Sequence, residues 1–367
     1  MKEFQQVTNW RDPDALVAVP AASGVLRIEL VSGPPYIGKT ADLRRRMRRL
    51  VRPPAGASNR LSLREIATDA YYCRTGSRFE SDLLLYRTAS AFRPGDCRNY
   101  LKLRPPSFVK VLLRNRFPRT CLTQRLTRSR ALFFGPFPTR HAAEQFHSAF
   151  LDLFRVRRCT ENLDPSPSHP GCIWGEMDLC LRPCQEACDD NRYSAEVERL
   201  ARFLRTDGNS LLEETESARD RASAAMEFEM AAQQHRILSK AKDVLRLRGG
   251  LSRELGELNG MVLQASVEQS CVELTPLYRG SLQASVRLPW GAPEPSAAAF
   301  AAGLRGILPA AAWSEATLAE REDHLALLQR WHGSSFRRGE FVPFPDATAP
   351  PIRKLANAAM RVAADAA

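Results

Sequence analysis

Four closely spaced cysteines constrain this chain more than any other feature of its sequence. Cys159, Cys172, Cys180 and Cys184 follow the pattern C-x12-C-x7-C-x3-C in a segment broken by proline and glycine, "CTENLDPSPSHPGCIWGEMDLCLRPCQEAC". Four thiolates gathered by such a loop can ligate one zinc ion tetrahedrally, or a [4Fe–4S] cluster with one thiolate per iron. The absence of paired C-x2-C knuckles favours the cluster, and reduced thiols in an ordinary loop are the alternative. Cys188 is a fifth cysteine to which the spacing assigns no role.

Length and composition narrow the class of protein. A chain of 367 residues predicts two or three domains, and 44% hydrophobic residues fit a globular protein. The sequence has no apolar run of about 18 residues and no apolar segment typical of a secretory signal near its start. We therefore expect a cytoplasmic protein with no membrane partner. Nine cysteines in that compartment favour metal or redox chemistry over disulfides.

The net charge of +12 and the pI near 9.6 indicate a polyanionic partner, because lysine and arginine release counterions when they neutralise phosphates. The charge concentrates in "PPYIGKTADLRRRMRRL", residues 34–50. Lys39 and Arg46 lie where one phosphate could meet both side chains and a helix N-terminus. A solvated helix face is the simpler interpretation. The arginines predicted to contact DNA around this site are Arg44, Arg45, Arg48 and Arg49.

The first hundred residues predict a compact α/β unit. "ALVAVP" and "SGVLRIELVSGPPYIG" are typical of short strands, and a helix is expected from about residue 40 or 41. Leu43, Met47 and Leu50 form the apolar stripe of that helix. "RFESDLLLYRTASAFR" predicts a further helix that ends before Pro94 and Gly95.

The remainder alternates between helical and extended patterns. Residues 105–127 are basic and irregular in pattern, and residues 191–247 predict two long helices broken near Gly208. "MEFEMAAQQHRIL" lies at the centre of the second, where Met226 and Met230 belong either to a core or to a face that needs a partner. "GMVLQASVEQSCVELTPLYRGSLQASVRLPW" alternates, with a turn at Arg279-Gly280, and predicts a β-meander. The tail from Ala297 predicts helix with a proline-rich break at 343–351.

Taken in order, these segments resemble the UvrC family, a subunit of the bacterial nucleotide-excision-repair nuclease, from about residue 23 to residue 290. "SGVLRIELVSGPPYIGKTADLRRRM" is similar to the family's GIY-YIG nuclease opening, and "FFGPFPTRHAAEQFHSAFLDLFRVRRC" to the segment before its cysteines. "AMEFEMAAQQHRIL" is similar to the UVR motif through which UvrC meets UvrB. The resemblance implies iron–sulfur ligation by the four cysteines. It also implies partner binding by four residues of the motif, namely Phe228, Glu229, Ala231 and Ala232.

The same resemblance divides the nuclease site. The family hydrolyses a phosphodiester with one divalent metal, Mg²⁺ or Mn²⁺, and its tyrosine, lysine and arginine fall on Tyr36, Lys39 and Arg46. Its other tyrosine, its metal-binding glutamate and its asparagine are replaced, by Leu26, Leu85 and Cys97 respectively. A hard cation needs oxygen ligands, so these replacements imply a degenerate site. A displaced carboxylate, Glu80 or Asp82, is the alternative metal ligand.

We therefore expect an α/β fold in four parts: a small mixed α/β GIY-YIG nuclease-like domain over 15–104, a basic and Cys-rich linker domain over 105–205, an α-helical UVR hairpin over 206–248, and a mixed α+β C-terminal region over 255–367. The expected function is that of a UvrC-like nucleotide-excision-repair protein that binds DNA and UvrB without cutting unaided. One alternative is an active single-incision endonuclease. The other is a metal-cluster interaction protein that does not act on DNA. No segment resembles the family's ribonuclease-H-like nuclease or helix-hairpin-helix tail, so a second incision is not expected.

Overall fold

The computed structural model describes residues 3–12, 14–52, 63–289, 296–308 and 313–365. Over these ranges the chain forms three antiparallel sheets and eleven α-helices. The predicted mixed α/β class is confirmed. None of the described helices is long and apolar enough to cross a membrane.

The N-terminal sheet has the strand order β1-β4-β2-β3, which leaves β3 with a free edge. Its strands are β1 (Gln5–Gln6), β2 (Gly24–Leu30), β3 (Tyr36–Thr40) and β4 (Ala67–Arg74). Helix α1 (Leu43–Val51) begins where the Asp42 carboxylate accepts a hydrogen bond from the Arg45 N–H, at 2.8 Å. Its predicted apolar stripe packs on the sheet, whereas the expected strand "ALVAVP" is instead a short 3-10 turn over Ala15–Ala18.

Helices α2 (Arg78–Phe92) and α3 (Cys97–Tyr100) cover the other face of this sheet. The hydroxyl of Ser77 caps α2 by accepting from the Glu80 N–H at 3.0 Å. Buried side chains occur all round the first two turns of α2, from Phe79 to Tyr86. A helix that is buried on every side needs a second layer of structure against it.

The middle unit contains a second sheet, in the order β6-β5-β7-β8. Its elements are β5 (Ser107–Leu112), β6 (Arg119–Thr123), β7 (Ala131–Phe137), α4 (Arg140–Leu151), α5 (Ile173–Glu176), α6 (Asp190–Arg205) and, from later in the chain, β8 (Arg253–Glu254). The expectation of irregular structure over 105–127 was wrong, because β5 and β6 form a regular hairpin there. Val109 and Val111 face the core, and the Lys110 ammonium lies 5.4 Å from the centre of the Phe133 ring.

Two antiparallel helices follow, α7 (Asn209–Ala224) and α8 (Phe228–Arg246). Residues 191–247 thus form three helices rather than two, since the chain turns at Gly208 and again at Met226, both with positive φ. The two helices pack through Leu211, Ala241 and Val244 at one end of the hairpin. The opposite end, where α7 passes into α8, has exposed side chains on both helices.

The C-terminal part forms the third sheet, in the order β11-β10-β9-β13 with β12 paired to β10. Its elements are β9 (Asn259–Ala265), β10 (Cys271–Tyr278), β11 (Ser281–Leu282), β12 (Val286–Pro289), α9 (Ala297–Ile307), α10 (Leu318–His332), β13 (Glu340–Phe344) and α11 (Ile352–Ala364). The predicted meander and its turn at Arg279-Gly280 are present. Strand β13 overlaps the predicted proline-rich break. One face of the strand is buried through the side chains of Val342 and Phe344.

Helix α10 supplies the second layer against α2. The rings of Phe79 and Trp331 lie 5.2 Å apart, and those of Tyr86 and His324 lie 5.4 Å apart. Beside them Arg98 makes hydrogen-bonded ion pairs with two carboxylates of α10, Glu322 at 2.9 Å and Asp323 at 2.6 Å. One hydrophobic core therefore joins the N-terminal sheet, α2 and the C-terminal sheet.

Candidate nucleic-acid interface and metal centre

The free edge of β3 positions two of the expected site residues together. An N–H of the Arg46 guanidinium donates a hydrogen bond to the Tyr36 hydroxyl. The Tyr36 ring lies across Gly38, where an added Cβ would come within 3.1 Å of that hydroxyl. The Tyr100 hydroxyl donates to the Ile37 carbonyl. Burial raises the pKa of Tyr100, and the neighbouring Tyr36 raises it further. These contacts place an arginine and two phenol groups at one exposed edge.

Lys39 lies on the opposite face of the same strand. Side chains alternate along a strand, so Lys39 and Tyr36, three residues apart, leave it in opposite directions. The Lys39 ammonium forms an ion pair with the buried carboxylate of Asp82 on α2. The Arg330 guanidinium, from α10, lies 3.9 Å from the second oxygen of that carboxylate. Asp82 is therefore placed between two cations.

The three replaced positions are all buried. Leu26 pairs with Gly38 across β2 and β3, on the face covered by α1, and has no exposed surface. Leu85 lies in the core shared with α10. The Cys97 thiol is buried between Ser90 and the Tyr86 carbonyl, and burial raises its pKa. None of these side chains provides an oxygen ligand for a divalent cation.

The two candidate carboxylates of α2 also have defined contacts. Glu80 accepts a hydrogen bond from the Gly76 N–H at 2.7 Å, at the start of the helix. Asp82 is paired as described above. A metal-binding role for either one would require these contacts to be exchanged for a cation.

The arginines of α1 differ in exposure. Arg45 and Arg49 are exposed, whereas Arg44 and Arg48 are half-buried. The Arg44 guanidinium donates to the Val19 carbonyl at 2.7 Å and so fixes the 3-10 turn against the helix. Of the four arginines predicted to contact DNA, only Arg45 and Arg49 therefore have exposed side chains.

A cleft of about 570 Å³ opens between the start of α2 and the C-terminal part of the chain. Lys39, Arg78 and Asp82 contribute to one wall. The other wall is formed largely by the end of α10 and the loop after it, including Arg330, Trp331, Phe336 and Arg338. Sequence reasoning missed this second wall. The available signal was the interleaving of aromatic and basic residues in "RWHGSSFRRGEF".

The four cysteines lie in one neighbourhood. Burial raises the pKa of the Cys180 thiol to about 11, and the nearby thiols of Cys172, Cys159 and Cys184 raise it further. Arg182 and Glu186, on either side of Cys184, have left-handed backbones that wrap the loop tightly. Within the described ranges, no three His, Cys, Asp or Glu side chains converge closely enough to hold a single metal ion.

The four cysteines could hold either of two metal groups, a zinc ion or a [4Fe–4S] cluster. Tetrahedral zinc requires sulfurs about 3.8 Å apart, given a Zn–S bond of about 2.3 Å. A [4Fe–4S] cluster has one iron per thiolate and spreads its ligands farther. The Arg182 N–H points to the Cys180 sulfur at 3.4 Å, and the Arg157 guanidinium to the Cys159 sulfur at 3.6 Å. Such N–H donors stabilise a thiolate sulfur, whether it ligates zinc or a cluster.

The tip of the α7–α8 hairpin presents exposed apolar side chains. Met226, Phe228 and Met230 are 76%, 72% and 49% exposed. The interpretation of these methionines as core was wrong. Glu229 and Ala232 are also exposed, and Ala231 is half-buried. Adjacent exposed apolar residues of this size are typical of a surface that contacts another protein.

Comparison with known proteins relates the chain to one family. The family model for the UvrC/Cho excinuclease middle domain matches residues 108–203, from β5 into α6. This range includes all five clustered cysteines. The UvrABC system protein C of Ectopseudomonas mendocina is 25% identical over 254 residues, and that of Rickettsia canadensis is 29% identical over 283 residues. The chain is therefore similar to UvrC proteins over much of its length, and its residues 108–203 match the middle domain of that family.

The match to UvrC relatives is partial in length. The alignments cover 68% of this chain and 41% of the Ectopseudomonas protein, and 75% of this chain and 43% of the Rickettsia protein. A third relative, the UvrABC system protein C of Moorella thermoacetica, is 26% identical over 57% of this chain and 34% of its own length. The chain thus spans about two fifths of the relatives it matches. No solved structure matches it.

Proposed function

We propose that this chain is a UvrC-like nucleotide-excision-repair protein that binds DNA and does not hydrolyse it unaided. The observation that carries this proposal is the arrangement around β3. Tyr36 and Arg46 remain together at an exposed edge, while Leu26, Leu85 and Cys97 are built into the core. The groups that we propose bind phosphate are exposed side by side, and the described positions that would hold a metal lack oxygen ligands.

The proposed DNA contacts begin at α1. Arg45 and Arg49 provide solvent-facing charge, and Arg46 is held by its hydrogen bond to Tyr36. A guanidinium fixed in this way can contact a phosphate with little loss of side-chain entropy. Each phosphate contact releases counterions, so binding should weaken steeply as the salt concentration rises.

Two further parts of the molecule complete the proposal. Cys159, Cys172, Cys180 and Cys184 would hold a [4Fe–4S] cluster, with zinc as the alternative metal. When bound, such a group would cross-link the segment from Cys159 to Cys184 and so stabilise its fold. The hairpin tip, through Phe228, Glu229, Ala231 and Ala232, would bind UvrB. In place of the family's Arg-Asp pair the chain has His235 and Arg236, which removes an acidic group from that contact.

A plasmid-nicking assay with Mg²⁺ or Mn²⁺, beside a DNA-binding assay, tests the proposal. We expect salt-dependent binding without nicking. Nicking that is lost in Arg46→Ala and in Asp82→Ala would instead support the active endonuclease with a displaced carboxylate. Failure to bind DNA at low salt would favour the third function, a metal-cluster interaction protein. Arg361→Ala is a suitable control for binding, because its guanidinium is paired with Glu340 on the C-terminal sheet.

A further inference from the structure

The cleft between α2 and the C-terminal loop has a strong positive charge. Four cations line it, Lys39, Arg78, Arg330 and Arg338, against one carboxylate, Asp82, which leaves a net charge of +3. Arg78 and Arg338 are exposed, and they come from opposite ends of the sequence. A concave surface lined by one sign of charge concentrates ions of the opposite sign.

An aromatic ring stands at the rim of this cleft. Phe336 is 86% exposed, the largest exposed fraction among the large hydrophobic side chains of the described residues. Trp331 also lines the cleft, but its side chain is mostly buried and packs on Phe79. An exposed flat ring beside guanidinium groups is the combination that single-stranded nucleic acids bind, through stacking on the ring and phosphate contacts to the cations.

The two walls are held together by close backbone contacts, so the cleft is preformed. A Cβ at Gly76 would lie 2.6 Å from the Ser266 carbonyl carbon and 2.7 Å from the Ala265 carbonyl oxygen, so only glycine allows this approach. The Ser77 hydroxyl donates to the Gln264 side chain at 2.9 Å. The Trp331 indole N–H donates to the Arg338 carbonyl at 3.2 Å, which fixes the loop that carries Phe336.

We infer that this cleft binds an unpaired strand of DNA, with a base stacked on Phe336 and its flanking phosphates against Arg338 and Arg78. The inference rests on the proposed function and extends it to the kind of DNA bound. A volume of about 570 Å³ is in the range that encloses a small organic ligand, which suits one or two nucleotides and excludes a duplex. Base faces are accessible for stacking only where pairing and stacking are already lost.

Fluorescence anisotropy with the full-length chain tests the inference, using a labelled oligothymidylate of about 12 nucleotides and a hairpin duplex of equal length. We expect Phe336→Ala to weaken binding of the single strand by about fivefold or more, and to leave duplex binding within about twofold. Phe336→Trp should retain the single-strand affinity, whereas Phe336→Leu should behave like Phe336→Ala, because stacking needs a flat ring. The exposure of Phe336 means that all three variants should fold normally.

Arg338→Gln tests the phosphate contact. It should reduce the slope of log affinity against log salt by about 0.7 for the single strand. The matched control is Arg353→Gln, an exposed arginine of α11 outside the cleft. It should not change single-strand binding.

Two results would overturn the inference, and they differ in what else they affect. If Phe336→Ala and Arg338→Gln bind both ligands like the parent chain, while Arg45→Gln with Arg49→Gln weakens binding, the cleft is not used and the proposed DNA binding stands. If the parent chain binds neither ligand at low salt, both proposals fail.

Discussion

The Lys39 ammonium and the Asp82 carboxylate form an ion pair that joins the free-edge strand β3 to helix α2. Lys39 is one of the residues that the family resemblance assigns to the nuclease, and Asp82 is one of the two carboxylates able to replace the missing metal ligand. In this structure each neutralises the other. Because of this pair, the Lys39 ammonium contributes little free positive charge to the cleft, where the Arg330 guanidinium also approaches Asp82.

Replacing Asp82 by asparagine should therefore increase DNA affinity. The substitution removes the carboxylate that competes with phosphate for Lys39, and we expect about threefold tighter binding at low salt. Fluorescence anisotropy as a function of salt would measure the change. Asp96→Asn, an exposed carboxylate at the start of α3 and outside the cleft, is the charge-matched control. Weaker binding by Asp82→Asn in a folded protein would contradict this account of the ion pair.

The stability of the protein should decrease as the pH falls through the range in which His324 gains a proton. Burial, together with Arg87, lowers the pKa of His324 to about 4, although Glu320 acts in the opposite direction. The unfolded chain takes up this proton at a pKa of about 6.5, so the stabilisation is complete above that pH and is lost on acidification toward 4. The imidazole Nδ1 accepts a hydrogen bond from the Leu282 N–H at 3.2 Å, and a protonated Nδ1 could not accept it.

Urea unfolding at several pH values would measure this dependence. We expect the free energy of unfolding to fall by up to about 3 kcal/mol between pH 7 and pH 4 from this group alone. His324→Asn keeps a neutral acceptor near the Leu282 N–H at every pH, and should flatten the profile. A profile unchanged by this substitution would assign the pH dependence to other groups. His147 is one such group, because burial and Arg158 lower its pKa to about 4 as well.

Serine substitutions should separate the four expected cluster ligands from the other cysteines. Each of Cys159→Ser, Cys172→Ser, Cys180→Ser and Cys184→Ser removes one thiolate and should abolish the visible absorption of anaerobically purified protein, with loss of about four iron atoms per chain. Cys271→Ser, on β10, is the control and should leave the spectrum unchanged. The outcome for Cys188→Ser decides whether the fifth cysteine is a ligand. A colourless parent chain that carries one zinc ion would replace the cluster with the zinc alternative.

Removing the exposed ring of the hairpin tip should weaken binding of the partner protein without unfolding the hairpin. Phe228 is 72% exposed and makes little contribution to the core, so Phe228→Ala should keep the parent chain's thermal stability. Calorimetry with purified UvrB should show at least about a tenfold loss of affinity, because buried aromatic anchors dominate interfaces of this kind. Val31→Ala removes a side chain of similar exposure, 71%, from the bend after β2 and serves as the control. Equal binding by both variants would exclude the tip as the contact surface.

Local pattern was sufficient to predict the elements whose burial is one-sided. The stripe of Leu43, Met47 and Leu50 and the turn at Arg279-Gly280 are examples, since periodicity and turn chemistry are properties of neighbouring residues. Strand β13 was missed because Pro343 reads as a strand breaker. It is tolerated there because β13 is an edge strand, where the missing N–H need not pair. Strand β5 was missed because Lys110 adds to the basic character of its segment. In the structure the Lys110 side chain lies over the Phe133 ring, so a charged residue is accommodated in a packed strand.

The candidate site was predictable only in its N-terminal part. Tyr36 and Arg46 are ten residues apart and are joined by a strand–turn–helix unit, so their proximity follows from local geometry. The contributions of Arg330, Phe336 and Arg338 depend on how α10 packs against α2, across more than 240 residues of sequence. No pattern within either segment specifies that packing.

The contact between α2 and α10 also sets the order in which the chain can acquire its structure. Phe79 is synthesised about 250 residues before its ring partner Trp331. Until α10 has been synthesised, the face of α2 that packs on it has no native neighbour. Contacts so distant in sequence slow folding and leave such surfaces open to aggregation. The N-terminal fold of this protein is therefore complete only after α10 has been synthesised.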